Sequence, residues 1–498
     1  MRNYARHSPL EVSKTANAGP RDKTLDVQTQ MTGRESQTSD FIFPSEIFEL
    51  LALGKRRSTD LHSQVLVSHT SPLPSKIDPI QLFAKAKRMG SAVNYWALPA
   101  KGSWIVGAGE AAEITTGGAL RFKHAAAEVQ SMIRSAIVEP KSARGPVFLG
   151  GFRFKSESRI DQLWREFNDG LLTLPRWMIA SAAGQYLLTI NAALNEHTDV
   201  DKLRKELGSQ AQILFGRDGT PSYPLMASNA ETTADRWGQK VEQALDAIND
   251  GKLSKVTLAR TMKLQFESTI PPEVILQSLT RNYPECRTFA FCRRGISFVG
   301  ASPEELVNLN GASVTSTCLA GSAPRGDSEI EDVKLSNWLL GNEKERREHK
   351  VVVDWVSERL GALCDELRWN EVPYVLRLGN VQHLATSFAG SRADARCVLD
   401  FVEALHPTPA VGGMPLVPAL ELIAKLEAFD RGWYTGPVGW VDGNGDGEFA
   451  IAIRCALLRG REAFLYAGDG IVAGSDPETE DNETIMKFKP LLTALGAP

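Results

Sequence analysis

Ser475-Asp476-Pro477-Glu478-Thr479-Glu480-Asp481-Asn482-Glu483-Thr484-Ile485-Met486-Lys487 is the stretch on which the reading of this chain turns. Ser475 or Asp476 is a ready N-cap, and Pro477 suits the first helical position, whose N–H has no intrahelical partner to lose. A helix begun there puts Glu480, Glu483 and Lys487 at i, i+3 and i+7, on one stripe. Gly468 and Gly470 stand just upstream, where bare backbone can approach an anionic ligand.

Working outward, Glu343-Lys344-Glu345-Arg346-Arg347-Glu348-His349 holds a second acidic pair, Glu345 and Glu348, spaced to share a helix face. Alone, such a run reads as a solvated charged surface. Two carboxylates on each of two helices are what Mg²⁺ takes: hard oxygen ligands, a few waters, and a substrate carboxylate to complete the octahedron. Lys487 offsets part of that negative charge. Two more segments supply titratable groups, the strand-like Lys255-Val256-Thr257-Leu258-Ala259-Arg260 and Gly300-Ala301-Ser302-Pro303-Glu304. Beside a buried acidic site, a lysine and a glutamate can serve as base and acid, provided burial and neighbours lower the one pKa and raise the other. For each of them the plain alternative is an ordinary surface charge.

The rest of the chain sets bounds. It has 498 residues, 43% hydrophobic and 23% charged, with a net charge of -4, the proportions of a globular protein without the basic footprint of a nucleic-acid binder. No apolar run is long enough to cross a membrane; the best candidate, residues 177–194, is broken by Ser181, Gln185 and Asn191. Six scattered cysteines form no CxxC pair and point to a reducing, cytoplasmic setting. Residues 1–40 are polar and charged and predict a disordered tail, followed by 41–235 and 236–498 as two parts of one domain. Strand-like and helical runs do not alternate, which predicts an α+β fold with large antiparallel sheets flanked by helices instead of a doubly wound parallel sheet. One helical pattern spans 330–360. Asp442-Gly443-Asn444-Gly445-Asp446-Gly447 imitates an EF-hand loop but has Ile453 where the bidentate glutamate belongs, so it reads as a hairpin turn. Gly107-Ala108-Gly109 with Ala112, and Gly468-Asp469-Gly470 with Ala473, match a dinucleotide fingerprint without its strand–turn–helix context.

These segments together resemble the chorismate-utilising enzymes, the family of isochorismate and salicylate synthases and the large subunits of anthranilate and aminodeoxychorismate synthases. The matching blocks run from Lys255 to Lys487 and include residues 319–326, 381–384, 406–415, 431–440 and 450–454. The resemblance implies one large α+β fold, Mg²⁺, and chorismate as substrate. It implies three catalytic residues, Lys255 and Glu304 as base and acid and His383 near the ring. It implies Ser322, Ala410, Tyr434, Arg454, Gly468 and Lys487 around the substrate, and Glu345, Glu348, Glu480 and Glu483 around the metal. No Gly-x-Cys-x-Gly glutaminase segment is present, and Ala320 stands where aminodeoxychorismate synthases carry a lysine. Ala410 replaces the threonine of lyase-type members, which favours the isochorismate synthase branch, with a salicylate synthase or a non-catalytic chorismate-binding subunit as alternatives. A monomer without partner subunit, nucleic acid or membrane is expected. The chain departs from the family at Cys318, at Ser322, and at Asp469, where Gly-Ala-Gly is usual.

Overall fold

The computed structural model describes residues 43–497 except 75, 141–144, 157–160, 183, 217–226 and 233–235, and the backbone alone of 227–232. The expected disordered tail, residues 1–40, lies outside the described residues.

The architecture is built around one strand, Gly170–Ala182. Its whole length pairs with Ser103–Thr116, its far end with Gln185–Leu194 and its near end with Val147–Phe152. Two antiparallel ladders leave from it. The first passes through Ser103–Thr116, Val93–Leu98, Arg287–Arg293, Ile296–Ser302, Cys455–Arg459 and Glu462–Val472 to Lys255–Phe266, whose other edge takes the short strands Ala227–Thr232 and Gly413–Met414. The second passes through Val147–Phe152, Pro437–Asp442, Gly447–Ile451, Glu305–Asn310 and Ser313–Pro324 to Val381–Ser391, whose other edge takes the short strands Arg368–Trp369 and Tyr374–Arg377. Among the described pairings only Val65–Pro72 with Ile137–Glu139 is parallel. This is the α+β class with antiparallel sheets that the lack of helix–strand alternation predicts.

Two of the passages from one ladder to the other lie side by side, and both carry a site residue. Glu304 lies between Ile296–Ser302 and Glu305–Asn310; Arg454 lies between Gly447–Ile451 and Cys455–Arg459. The crossings are tied to each other, Ile451 N donating to Glu304 O and Ala301 N to Arg454 O. Arg454 sits at φ 50, a left-handed conformation that a non-glycine residue adopts only when its surroundings impose it.

Glycines make the other close approaches. A Cβ on Gly107 would fall 2.5 Å from Pro175 Cγ, where proline interrupts the hub strand beside a bulge. The Gly107 and Gly468 fingerprints both lie inside antiparallel strands, so neither opens a helix as a dinucleotide site requires. The 442–447 turn joins two paired strands, as a hairpin should.

Two helices bear the acidic pairs. The single pattern over 330–360 is two helices, Glu329–Gly341 and Glu343–Gly361. Asn342 separates them: its ψ of 121 breaks the first, and its side chain caps the second by accepting from Glu345 N at 3.1 Å. Pro477–Ala494 begins as the sequence predicts, with Asp476 as N-cap accepting from Thr479 N. It buries Phe488 and Leu491, each worth about 1.5–3 kcal/mol of transfer free energy. The same face buries Glu480, Thr484 and Lys487, so the helix can dock only with its charges matched. Pro490 leaves the Met486 carbonyl without its helical donor, and Asn380 Nδ2 supplies one at 2.8 Å.

Candidate active site

The cavity where the two ladders meet is lined by Glu304, Ser322, Glu348, His383, Ala410, Tyr434, Arg454, Gly468, Asp469, Glu483 and Lys487. Ten of the thirteen sequence-derived site residues line it, and Asp469 stands among them, with Thr257, Tyr466 and Gly470 also in the wall. Lys255, Glu345 and Glu480 stand just behind this lining.

Glu304 is 5% exposed, and burial pushes its carboxyl up to about 8 despite the opposing charges of Lys255 and Arg454. Ser302 holds it in place: Ser302 Oγ accepts from Glu304 N at 3.2 Å and donates to Ile451 O at 2.6 Å. Lys255, the first residue of its strand, is fully buried, with Nζ 2.9 Å from Glu348 Oε1. Gly470 gives this pair room, since a Cβ there would fall 2.4 Å from Glu348 Oε1 and 3.0 Å from Lys255 Cε.

Arg454 is buried, and its guanidinium donates to His383 Nε2 at 3.2 Å. No carboxylate among the described residues lies within ion-pair distance of it, so it offers the cavity an uncommitted positive charge. An Nε2 that accepts from arginine carries no proton, so the His383 proton sits on Nδ1, which faces Ser322 Oγ at 2.9 Å and Gly321 O at 3.3 Å. Burial and then the Arg454 charge depress His383 to about 3, and the ring is neutral near pH 7. The structure thus makes His383 a fixed acceptor for Arg454. Tyr434 stacks on Tyr466 with ring centroids 5.1 Å apart, and burial raises its phenol. A Cβ on Gly468 would meet Tyr434 Oη at 2.8 Å. Ala410 lines the wall through Thr257, whose Oγ1 donates to Ala410 O at 3.1 Å.

On the acidic side Lys487 Nζ lies 2.8 Å from Glu483 Oε1, 2.9 Å from Asp469 Oδ1 and 3.1 Å from Gly468 O. Burial alone would raise Glu483, but Lys487 and a Ser322 hydrogen bond outweigh it and hold this carboxylate down at about 2. Lys344 bridges the two helices, 2.8 Å from Glu480 Oε1 and 3.4 Å from Glu345 Oε1. Glu345 also accepts from Ser322 N at 2.9 Å, and burial, then the Glu348 charge, raises it to about 7. Sequence reasoning passed over Lys344, although it lies inside the acidic run.

The donor set suits a hard divalent cation. One carboxylate oxygen from each of Asp469, Glu480 and Glu483 lies within 4.8 Å of the others. Asp469 Oδ2 and Glu480 Oε2 are buried without a hydrogen-bond partner, which is costly for an anionic oxygen unless a cation meets it. Of the four sequence-derived metal residues, Glu480 and Glu483 belong to this group. Glu348 and Glu345 face it from the other helix, held by Lys255 and Lys344 respectively.

A family model described as "chorismate binding enzyme" matches residues 52–496, and the chain belongs to that family. It is 33% identical over 464 residues to the isochorismate synthase MenF of Bacillus subtilis, covering 91% of this chain and 98% of that one. It is 33% identical to the salicylate biosynthesis isochorismate synthase of Pseudomonas aeruginosa, covering 90% and 93%. The solved structure of MenF, the menaquinone-specific isochorismate synthase of Escherichia coli, superposes with a TM-score of 0.72 at 26% identity, over 89% of this chain and 99% of that one. Among the described residues no helix is long and apolar enough to cross a membrane.

Proposed function

We propose that the protein is a Mg²⁺-dependent isochorismate synthase that adds water at C2 of chorismate and expels the C4 hydroxyl with an allylic shift. One observation carries the mechanism: Glu304, a buried carboxyl that stays protonated up to about pH 8 beside the uncommitted guanidinium of Arg454. A protonated carboxyl can give its proton to a departing hydroxyl, which then leaves as water. Lys255 takes the proton of the attacking water. Glu348, whose Oε1 lies 2.9 Å from Lys255 Nζ, is within hydrogen-bond reach to receive a proton from it, which leaves the amine free to act. Return of that proton to Glu304 resets the pair.

Arg454 binds the pyruvyl carboxylate, with the Tyr434 hydroxyl and the bare backbone of Gly468 beside it. His383 and Ser322 orient Arg454. Lys487 keeps Glu483 ionised, so that Glu483, with Glu480, Glu348 and Glu345, can hold the metal. When bound, Mg²⁺ orients the ring carboxylate and draws charge from the ring. Ala410, in place of a lyase-type threonine, supports a reaction that stops at isochorismate. Water as nucleophile removes the need for a glutaminase subunit. The six free cysteines suit a reducing cytoplasm. A monomeric state belongs to the same reading, and light scattering checks it.

The test is direct. Purified protein incubated with chorismate and Mg²⁺ should accumulate isochorismate, identified by chromatography, with little pyruvate, and EDTA should stop turnover until Mg²⁺ is restored. Stoichiometric pyruvate would assign the chain to the salicylate synthase branch, and full turnover in EDTA would remove the metal.

A further inference from the structure

We propose that Asp469 is a protein ligand to the divalent cation, completing with Glu480 and Glu483 a three-carboxylate site that binds the ion before substrate arrives. The inference rests on the metal-dependent reading above. It adds a ligand at a position where the resemblance expects alanine.

Three observations converge. The three carboxylates bring one oxygen each within 4.8 Å of the others. Asp469 and Glu480 are 4% and 0% exposed, and each has one oxygen engaged and one left over. Asp469 Oδ1 accepts from Gly470 N at 2.8 Å and from Lys487, while Oδ2 has no partner; Glu480 Oε1 accepts from Lys344, while Oε2 has none. A buried carboxylate oxygen shut off from both water and donors costs stability, and a cation among three such groups removes that cost. The local charge agrees. Acidic groups outnumber basic ones here, five carboxyl groups (Glu345, Glu348, Asp469, Glu480, Glu483) against three lysines (Lys255, Lys344, Lys487), an excess that a cation would relieve.

The elements explain the consequence. Asp469 is on the strand Glu462–Val472 and both glutamates are on the helix Pro477–Ala494, consecutive in the chain and packed on each other. A site built from adjacent elements is assembled by folding. A site that borrows a substrate carboxylate is complete only when substrate is bound. This chain should therefore hold its ion tightly without chorismate.

Mn²⁺ takes the same oxygen ligands and is visible by electron paramagnetic resonance. Titrating the protein with Mn²⁺ in the absence of chorismate should show one tight site. Asp469→Asn keeps the shape and the Gly470 contact but loses the anionic ligand, and it should weaken Mn²⁺ at least about tenfold, the equivalent of ~1.4 kcal/mol. Asp469→Ala should weaken it as much or more. Circular dichroism confirms that each variant is folded. If Asp469→Asn binds Mn²⁺ within twofold of the wild type, Asp469 is only a counter-ion of Lys487 and the proposal fails. If the wild type binds Mn²⁺ only when chorismate is present, the proposal fails while the metal-dependent reading stands. If the wild type turns chorismate over fully in EDTA, that reading fails with it.

Discussion

Two glutamates line the same cavity and behave oppositely. Glu304 is pushed up to about 8 and Glu483 is held down at about 2. Burial raises both, so burial does not separate them. Contact does. Glu483 has Lys487 at 2.8 Å and a hydrogen bond from Ser322, whereas Glu304 makes no ion pair among the described residues: Lys255 is paired with Glu348, and Arg454 donates to the neutral ring of His383. The side of the cavity around Glu304, where the ladders cross, keeps a proton; the side around Glu483, on the C-terminal helix, keeps a charge. A proton donor and a cation ligand need those two states, and one residue type supplies both because the neighbours differ.

The sharpest way to break this contrast is to remove the proton donor. Glu304→Gln and Lys255→Ala should each lower kcat by about 10²–10⁴-fold with a much smaller change in KM, as steady-state kinetics in both directions would show. If Lys255→Ala keeps about half of the wild-type kcat, Lys255 is not the base.

Removing the cation that sets Glu483 comes next. Lys487→Met leaves two carboxylates around one vacated position, and loss of one partner from a buried pair costs about 3–5 kcal/mol. Urea denaturation at pH 7 should show a loss of this order. The deficit should shrink as pH falls, because Glu483 without Lys487 titrates higher and can be neutralised by protonation. A deficit independent of pH would mean that Lys487 acts only through packing.

The pH profile sharpens the other side. Glu304 must be protonated to act, so the rate of isochorismate formation should fall as pH rises through about 8. The residual activity of Glu304→Gln should lose that limb. A limb unchanged in the variant would assign it to another group.

The smallest effect belongs to His383. As a neutral acceptor that aims Arg454, its replacement by Asn should cost about 1 kcal/mol, seen as a several-fold rise in KM for chorismate with little change in kcat. A fall in kcat of a hundredfold or more would mean that His383 moves a proton.

Local chemistry made much of this legible in one dimension. The Asp476 cap and Pro477 announce the C-terminal helix, and the i, i+3, i+7 spacing fixes that Glu480, Glu483 and Lys487 share a face. The irregular order of strands and helices gives the α+β class. The break at Asn342 does not show in the 330–360 pattern because good helix formers continue on both sides of it, although Gly341 and Asn342 are themselves helix-ending residues. Sequence placed Asp469 as an oddity in a glycine pair and could not show that it meets Glu480 and Glu483.

What the sequence alone determined, then, is which residues can lie on one face of one element, because helix and strand periodicities are local. What only the tertiary structure decided is which charge meets which. Lys487 takes Asp469 and Glu483, Lys344 spans Glu345 and Glu480, and Lys255 takes Glu348 across 93 positions of chain. It also brought Glu304 and Arg454 side by side, from two separate crossings between the ladders. Protonation states follow from distances of a few ångströms and from burial, and both are properties of the packed whole.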